Sequence, residues 1–279
     1  MRGGGGHFLK EYAPATATSS CSLSLEGKVA IVTGGASGIG EAAVRLFASH
    51  GATVVIADIQ DHLGSAVAAS VGDKCSYMHC DVTDEKQVEA LVSHAVAAHG
   101  RLDVLFSNAG VMPAPPSGVL DMDIAELDRV MAVNVRGAAC TVKHAARAMV
   151  AGGTRGSIVC TASVAASVGG LSAASYTASK HAVLGLVRGA AGELGKHGVR
   201  INCVSPFGVG TPLACRYSGA TPAQVEESCC ALACLKGVVL KPSHIAEAAL
   251  FFASDESAFV TGHNLVVDGG FTVSPINFP

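Results

Sequence analysis

Hydrophobic and polar positions come in alternating blocks along this chain. Short apolar runs recur near residues 28–33, 53–57, 75–80, 102–106, 157–161, 199–204 and 263–267, with helical patterns between them. A short apolar run bounded by turn residues marks a strand buried on both faces. Strands that alternate with helices predict one α/β domain: a doubly wound, seven-stranded parallel sheet flanked by helices on both faces. Two long helices are expected at about 123–150 and 173–196, and no repeat of 20–50 residues is present. In such sheets a ligand binds at the carboxyl ends of the strands, where the strand order reverses.

The first run, Lys28 to Thr33, leads into Gly34-Gly35-Ala36-Ser37-Gly38-Ile39-Gly40, and Ile39, Ala43, Leu46 and Phe47 then share one helical face. Glycines in a strand-to-helix turn let backbone approach a pyrophosphate, and helix N–H groups and dipole favour the anion. The second run ends at Asp58, eighteen residues after Gly40, where a ribose-binding carboxylate is expected. Asp58 accepts from a ribose diol and repels a 2′-phosphate, and Ile59-Gln60-Asp61-His62 offers no Arg or Lys to offset it. NAD is therefore expected rather than NADP.

Ser163, Tyr176 and Lys180 carry the candidate chemistry. Residues i and i+4 of a helix project together, so Tyr176 and Lys180 share a face. A neighbouring cation is expected to lower the phenol's pKa from its ordinary value of about 10, which suits acid–base work on an alcohol or ketone. A Tyr-x-x-x-Lys pair alone also fits an ordinary solvated helix face. The glycine turn and Asp58 decide between the two readings.

Composition narrows the function. The chain has 279 residues, 49% hydrophobic and 15% charged, with a formal net charge of −3. Nucleic-acid binding needs a basic face that this balance does not supply. No apolar run approaches the roughly 20 residues of a membrane span. Residues 1–24 are small, polar and aperiodic, and are expected to form a disordered tail before the domain at 25–279. The tail lacks the apolar core of a signal peptide, so a cytoplasmic location is expected, with a plastid as the alternative. The ten cysteines show no zinc spacing. Cys229, Cys230 and Cys234 are expected on one helix as reduced thiols. His144, His181 and His197 are assigned to structure. Asp121, Asp123, Glu126 and Asp128 fit the start of a helix through its dipole, and no metal site is expected.

Together these motifs resemble the short-chain dehydrogenase/reductase family, from about Leu25 to Phe271. Asp81 and Val82 resemble its adenine contacts, and Asn108-Ala109-Gly110 its turn beneath the cofactor. Asn134 resembles the Asn that anchors a proton-relay water. Val209 and Thr211, in Ser205-Pro206-Phe207-Gly208-Val209-Gly210-Thr211, resemble the nicotinamide carboxamide segment, and Asp268-Gly269-Gly270 the C-terminal strand end. Ser107 and Phe207 depart from it, where many members carry Asn and Gly. Several stretches, among them Lys143-His144-Ala145-Ala146-Arg147 and Leu235-Lys236-Gly237, resemble the plant branch that holds xanthoxin dehydrogenase, secoisolariciresinol dehydrogenase, momilactone A synthase and the tasselseed-type proteins.

The resemblance implies a Rossmann-type fold and NAD-dependent oxidation of a secondary alcohol or lactol on a terpenoid or lignan. It implies Tyr176 as general base, Ser163 on the substrate oxygen, Lys180 on the phenol and the nicotinamide ribose, and self-association as a homodimer or homotetramer. The segment from about Thr211 to Gly237 is expected to lid the site. Met112, Val164, Leu171, Phe207, Leu213 and Tyr217, with Leu232 and Leu235, are expected to form apolar walls or core. An NADPH-dependent ketone reductase and an idle nucleotide-binding regulator are the competing readings. Asp58 disfavours the first, and the intact Asn134, Ser163, Tyr176 and Lys180 set disfavours the second.

Overall fold

The structure, a computed structural model, describes residues 24–114 and 117–274. The expected tail at 1–24 lies almost wholly outside the described residues. Seven strands form one parallel sheet: β1 (Val29–Thr33), β2 (Thr53–Asp58), β3 (Cys75–His79), β4 (Val104–Ser107), β5 (Ser157–Thr161), β6 (Arg200–Pro206) and β7 (Asn264–Val267). Their order is β3-β2-β1-β4-β5-β6-β7, so the winding reverses between β1 and β4.

Alternate residues of the same strands feed opposite cores, as a period of two requires. Ile31, Val55, Leu105, Ile158 and Ile201 face one layer with helices α3 (Glu85–His99), α5 (Ala138–Ala151) and α6 (Ala174–Gly195). Ala30, Val32, Val54, Ile56, Phe106 and Val204 face the other, with α1 (Gly38–Ser49), α2 (Asp61–Val71) and α9 (Pro242–Ala253). Apolar residues are thus needed on both faces, which is why the sequence shows runs rather than alternation.

Two expectations change. The long helix before α5 is interrupted: α4 (Ile124–Met131) passes through a π-helical turn, Ala132–Gly137, before α5 begins. Asn134 sits on that turn, with its side chain tied to the backbone of Val111. The segment after β6, where one helix is expected to carry Cys229, Cys230 and Cys234, holds two short helices, α7 (Pro212–Ser218) and α8 (Pro222–Leu232). Each starts Thr-Pro: Thr211 accepts from the Ala214 N–H, and Thr221 forms a capping box with Gln224. Proline at the first helical position loses no hydrogen bond. Because α8 stops at Leu232, Cys234 is not on it, contrary to the expected single-helix cluster.

Among the described residues, no helix is long and apolar enough to cross a membrane. A cavity of about 760 Å³ opens at the foot of the sheet, where Lys28, Arg101, Arg155 and Arg200 line it with Asp103 and Asp255. Helices α3, α5, α6 and α9 end there, and their terminal carbonyls attract cations. Arg200 donates to the carbonyls of Phe252 and Ser254, so the basic collar answers the helix ends. The glycine turn and Ser163 lie at the other end of the strands.

Candidate active site

The crevice forms where β1, β4 and β5 end. Gly34 follows β1 with φ at +66°, a region that glycine enters without strain. A Cβ at Gly40 would run into the Gly34 carbonyl oxygen, so α1 starts as close to β1 as backbone allows. Ser37 is the N-cap of α1 but makes no side-chain capping bond, which leaves the first-turn N–H groups to an anion. Thr211 packs against Gly38, bringing the start of α7 over the turn. Ile39 is half-buried behind it.

Asp58, at the end of β2, is buried, and its carboxylate already has partners. One oxygen accepts from the Ala36 N–H at 3.0 Å, the other from the Gln60 N–H at 3.0 Å and from Gln60 Nε2 at 3.2 Å. The acid is held still and also shapes the glycine turn. Ile59 beside it is 61% exposed and offers apolar surface at the rim. The Asp81 carboxylate accepts from the Thr83 N–H and hydroxyl. Val82 packs against Gly137 of the π turn.

Asn108 fastens three strand ends. It donates to the Thr33 carbonyl, and its Oδ1 accepts from the Thr161 hydroxyl at 3.0 Å. Ala109 backs against Gly34. A Cβ at Gly110 would stand 3.3 Å from Asn134 Oδ1 and 3.6 Å from Lys180 Nζ, so Gly110 leaves room between the two. This glycine cradle, fixed carboxylate and open helix N-terminus fit a dinucleotide.

Ser163 lies just past β5, and Tyr176 and Lys180 lie on the first two turns of α6. The Ser163 Oγ accepts from the Ala165 N–H at 3.1 Å and stands beside the Tyr176 phenol. Lys180 Nζ donates to the Thr161 carbonyl at 2.8 Å and stands 5.5 Å from the Tyr176 ring centre. Burial pushes the phenol up to about 12 even though the neighbouring Ser163 hydroxyl pulls it down. Burial also holds the Lys180 ammonium down to about 8, against the pull of the Cys203 and Cys160 thiols. The expectation that Lys180 lowers the phenol's pKa is therefore not met in this structure. The Lys180 ammonium points at a carbonyl rather than at the phenol oxygen, and desolvation outweighs it.

Asn134 is buried and fully engaged. Its Oδ1 accepts from the Val111 N–H at 2.8 Å, and its Nδ2 donates to the Val111 carbonyl and to Ser179 Oγ at 3.0 Å. Ser179 in turn donates to the Tyr176 carbonyl at 2.7 Å. Sequence reading missed Ser179 and Thr161. Ser179 sits at i+3 from Tyr176, a spacing that could have flagged it. Nothing in the sequence marks the Thr161 carbonyl.

The expected wall residues scatter. Val164 is buried, while Met112, Phe207, Leu213 and Tyr217 are half-buried. Phe207 stacks on Phe271 with ring centres 4.3 Å apart, a partner that sequence spacing did not reveal. Val209 is buried, and its carbonyl accepts from the Thr211 N–H. Leu171, Leu232 and Leu235 are 37%, 54% and 59% exposed, so Leu232 and Leu235 are not core. The thiols of this segment part company: Cys229 packs against Gly208, while Cys230 and Cys234 face the carbonyls of Val238 and Gly270. Among the described residues, no group of three or more His, Cys, Asp or Glu side chains could hold a metal ion.

Comparison with known proteins agrees with this geometry. The family model described as enoyl-(acyl carrier protein) reductase matches residues 34–272. Short-chain dehydrogenase reductase 5 of Arabidopsis thaliana is 60% identical over 250 residues, covering 89% of this chain and 96% of that protein. The mitochondrial (−)-isopiperitenol/(−)-carveol dehydrogenase of Mentha piperita is 53% identical over 253 residues, 90% of this chain and 96% of the relative. A solved short-chain type dehydrogenase/reductase from Mycobacterium marinum superposes with a TM-score of 0.83 at 33% identity, over 90% of this chain and 98% of its own. By fold, site and sequence, the chain belongs to the short-chain dehydrogenase/reductase family, whose oxidoreductases use a nicotinamide cofactor.

Proposed function

We propose that this protein oxidises a secondary alcohol or lactol on a hydrophobic, ring-bearing metabolite of the terpenoid or lignan class, with NAD as acceptor. One observation carries the reading: the Ser163 hydroxyl is held by the Ala165 N–H beside the Tyr176 phenol, with Lys180 buried next to the same ring. A relative that is 53% identical is named for dehydrogenation of isopiperitenol and carveol, both cyclic terpenoid alcohols.

Gly34, Ser37, Gly38 and Gly40 would hold the pyrophosphate, and Asp58 a ribose diol. Asp81, Val82 and Ile59 would border the adenine, while Asn108, Val209, Thr211 and Lys180 would take the nicotinamide half. The bound nicotinamide supplies the hydride acceptor. Tyr176 takes the hydroxyl proton as the carbinol C–H is given up. Ser163 donates to the same substrate oxygen and steadies its charge. Lys180 holds the Thr161 carbonyl and stands over the Tyr176 ring, and Asn134 fixes Val111 and, through Ser179, the first turn of α6. Holding alcohol and phenol in contact supplies part of the rate.

Helices α7 and α8, with Tyr217 and Leu213, would close over the substrate, and α5 and α6 would pair with a second copy. The test is NADH formation with NAD or NADP and a panel of cyclic alcohols that includes isopiperitenol and carveol. Turnover with NAD on that panel is the expected result. A strong preference of the wild-type protein for NADP would overturn the cofactor reading.

A further inference from the structure

The catalytic helix begins without a cap of its own. Its N-cap residue is Ala173, whose side chain cannot accept a hydrogen bond. In a capping box the residue three places on reaches back to the N-cap N–H. Here that residue is Tyr176, whose phenol stands beside Ser163 and does not reach back to that N–H. The orphan N–H is taken instead from outside the helix. Tyr217, on α7, accepts from the Ala173 N–H at 3.0 Å. Tyr217 also lies near Tyr176 itself.

We infer that Tyr217 is a positioning residue whose hydroxyl latches the α7–α8 lid to the first turn of α6, making lid closure and the placement of Tyr176 one event. Ser172, Ala173 and Tyr176 occupy one short stretch, so the latch acts within a single turn of the catalytic oxygen. The kinetic part of this inference rests on the proposed alcohol oxidation; the structural part does not.

The hydrogen bond can be cut from either end. Tyr217→Phe removes the acceptor and keeps the ring. Ala173→Pro removes the donor, and the Ala173 φ of −53° is close to what proline imposes. Both variants and the double variant are made in the full chain and saturated with NADH. Hydrogen exchange is followed across 174–180 and 212–218, and (−)-carveol oxidation is assayed in parallel. Each single variant should speed exchange in both segments about 2- to 10-fold, the worth of one net hydrogen bond. NADH affinity should hold, and kcat should fall more than KM rises. The double variant should match a single one, because one bond is lost only once. Unchanged exchange in Tyr217→Phe, or effects that multiply in the double variant, would overturn the latch. Carveol turnover absent from every protein would count against the substrate reading alone, and the exchange result would still decide the latch.

Discussion

Lys180 shows most directly how the site trades stability for chemistry. Its ammonium is buried, and burial holds its pKa down to about 8. The folded pKa thus lies below the unfolded one. Below pH 8 both states carry the proton and the desolvation cost is paid in full. Between pH 8 and about 10.5 only the unfolded chain still binds it, so stability rises with pH there. Lys180→Met should therefore stabilise the protein at pH 7 by on the order of 1–3 kcal/mol, even though it loses the bond to Thr161. The gain should vanish above about pH 10.5, which denaturant titrations at several pH values would show. Tyr176 behaves in the opposite sense. Burial keeps it protonated across neutral pH, so kcat/KM for oxidation should climb with pH while that for reduction falls. Profiles measured in both directions check this.

At the scale of elements, the turn from β1 to α1 is the most exacting piece. A Cβ at Gly40 would meet the Gly34 oxygen and the Asn108 side chain. Gly40→Ala should cost about 1–3 kcal/mol, typical of forced overpacking, and should weaken NADH binding measured by fluorescence quenching. This turn was legible in the sequence because its chemistry is local: strand, glycines and helix are contiguous. The buried strands were legible for the same reason, within one or two residues at their ends. The π turn at Ala132–Gly137 was not. It depends on the grip of Asn134 on Val111, 23 residues away, and on Gly137 packing against Val82. Helices α7 and α8 were half-legible: Thr211-Pro212 and Thr221-Pro222 announce two starts, but Tyr217 reaches Ala173 across 44 residues. Spacing along the chain carries no trace of such a bond. The ionisation of Tyr176 escaped the sequence for a related reason, since i+4 spacing brings Lys180 near the ring without saying which way its Nζ points.

Across the whole molecule, the outer face of α6 is left unusually bare. Gly185, Gly189 and Gly192 have nothing within 4 Å of where a Cβ would stand. Glycine inside an exposed helix costs about 1 kcal/mol relative to alanine, a cost with no return in an isolated chain. Close approach of a second copy would justify it, in keeping with the proposed self-association. Gly189→Leu should raise helix propensity yet lower the assembled mass seen by light scattering. An unchanged mass would remove α6 from the interface. The two ends of the sheet also divide the labour. Helix ends and their basic collar occupy the foot, while the glycine turn, Asp58, Ser163, Tyr176 and Lys180 gather where the strands end. That division follows from parallel winding, which sends every strand-to-helix turn to one side.

The most direct measurement is NADH formation from NAD and a cyclic secondary alcohol, run side by side for the wild-type protein and Tyr176→Phe. The two proteins should bind NADH alike, while kcat/KM falls by about 10²- to 10⁴-fold in the variant, the usual share of a positioned acid–base group. A Tyr176→Phe protein that binds NADH and turns over as fast as the wild type would contradict the account at its centre.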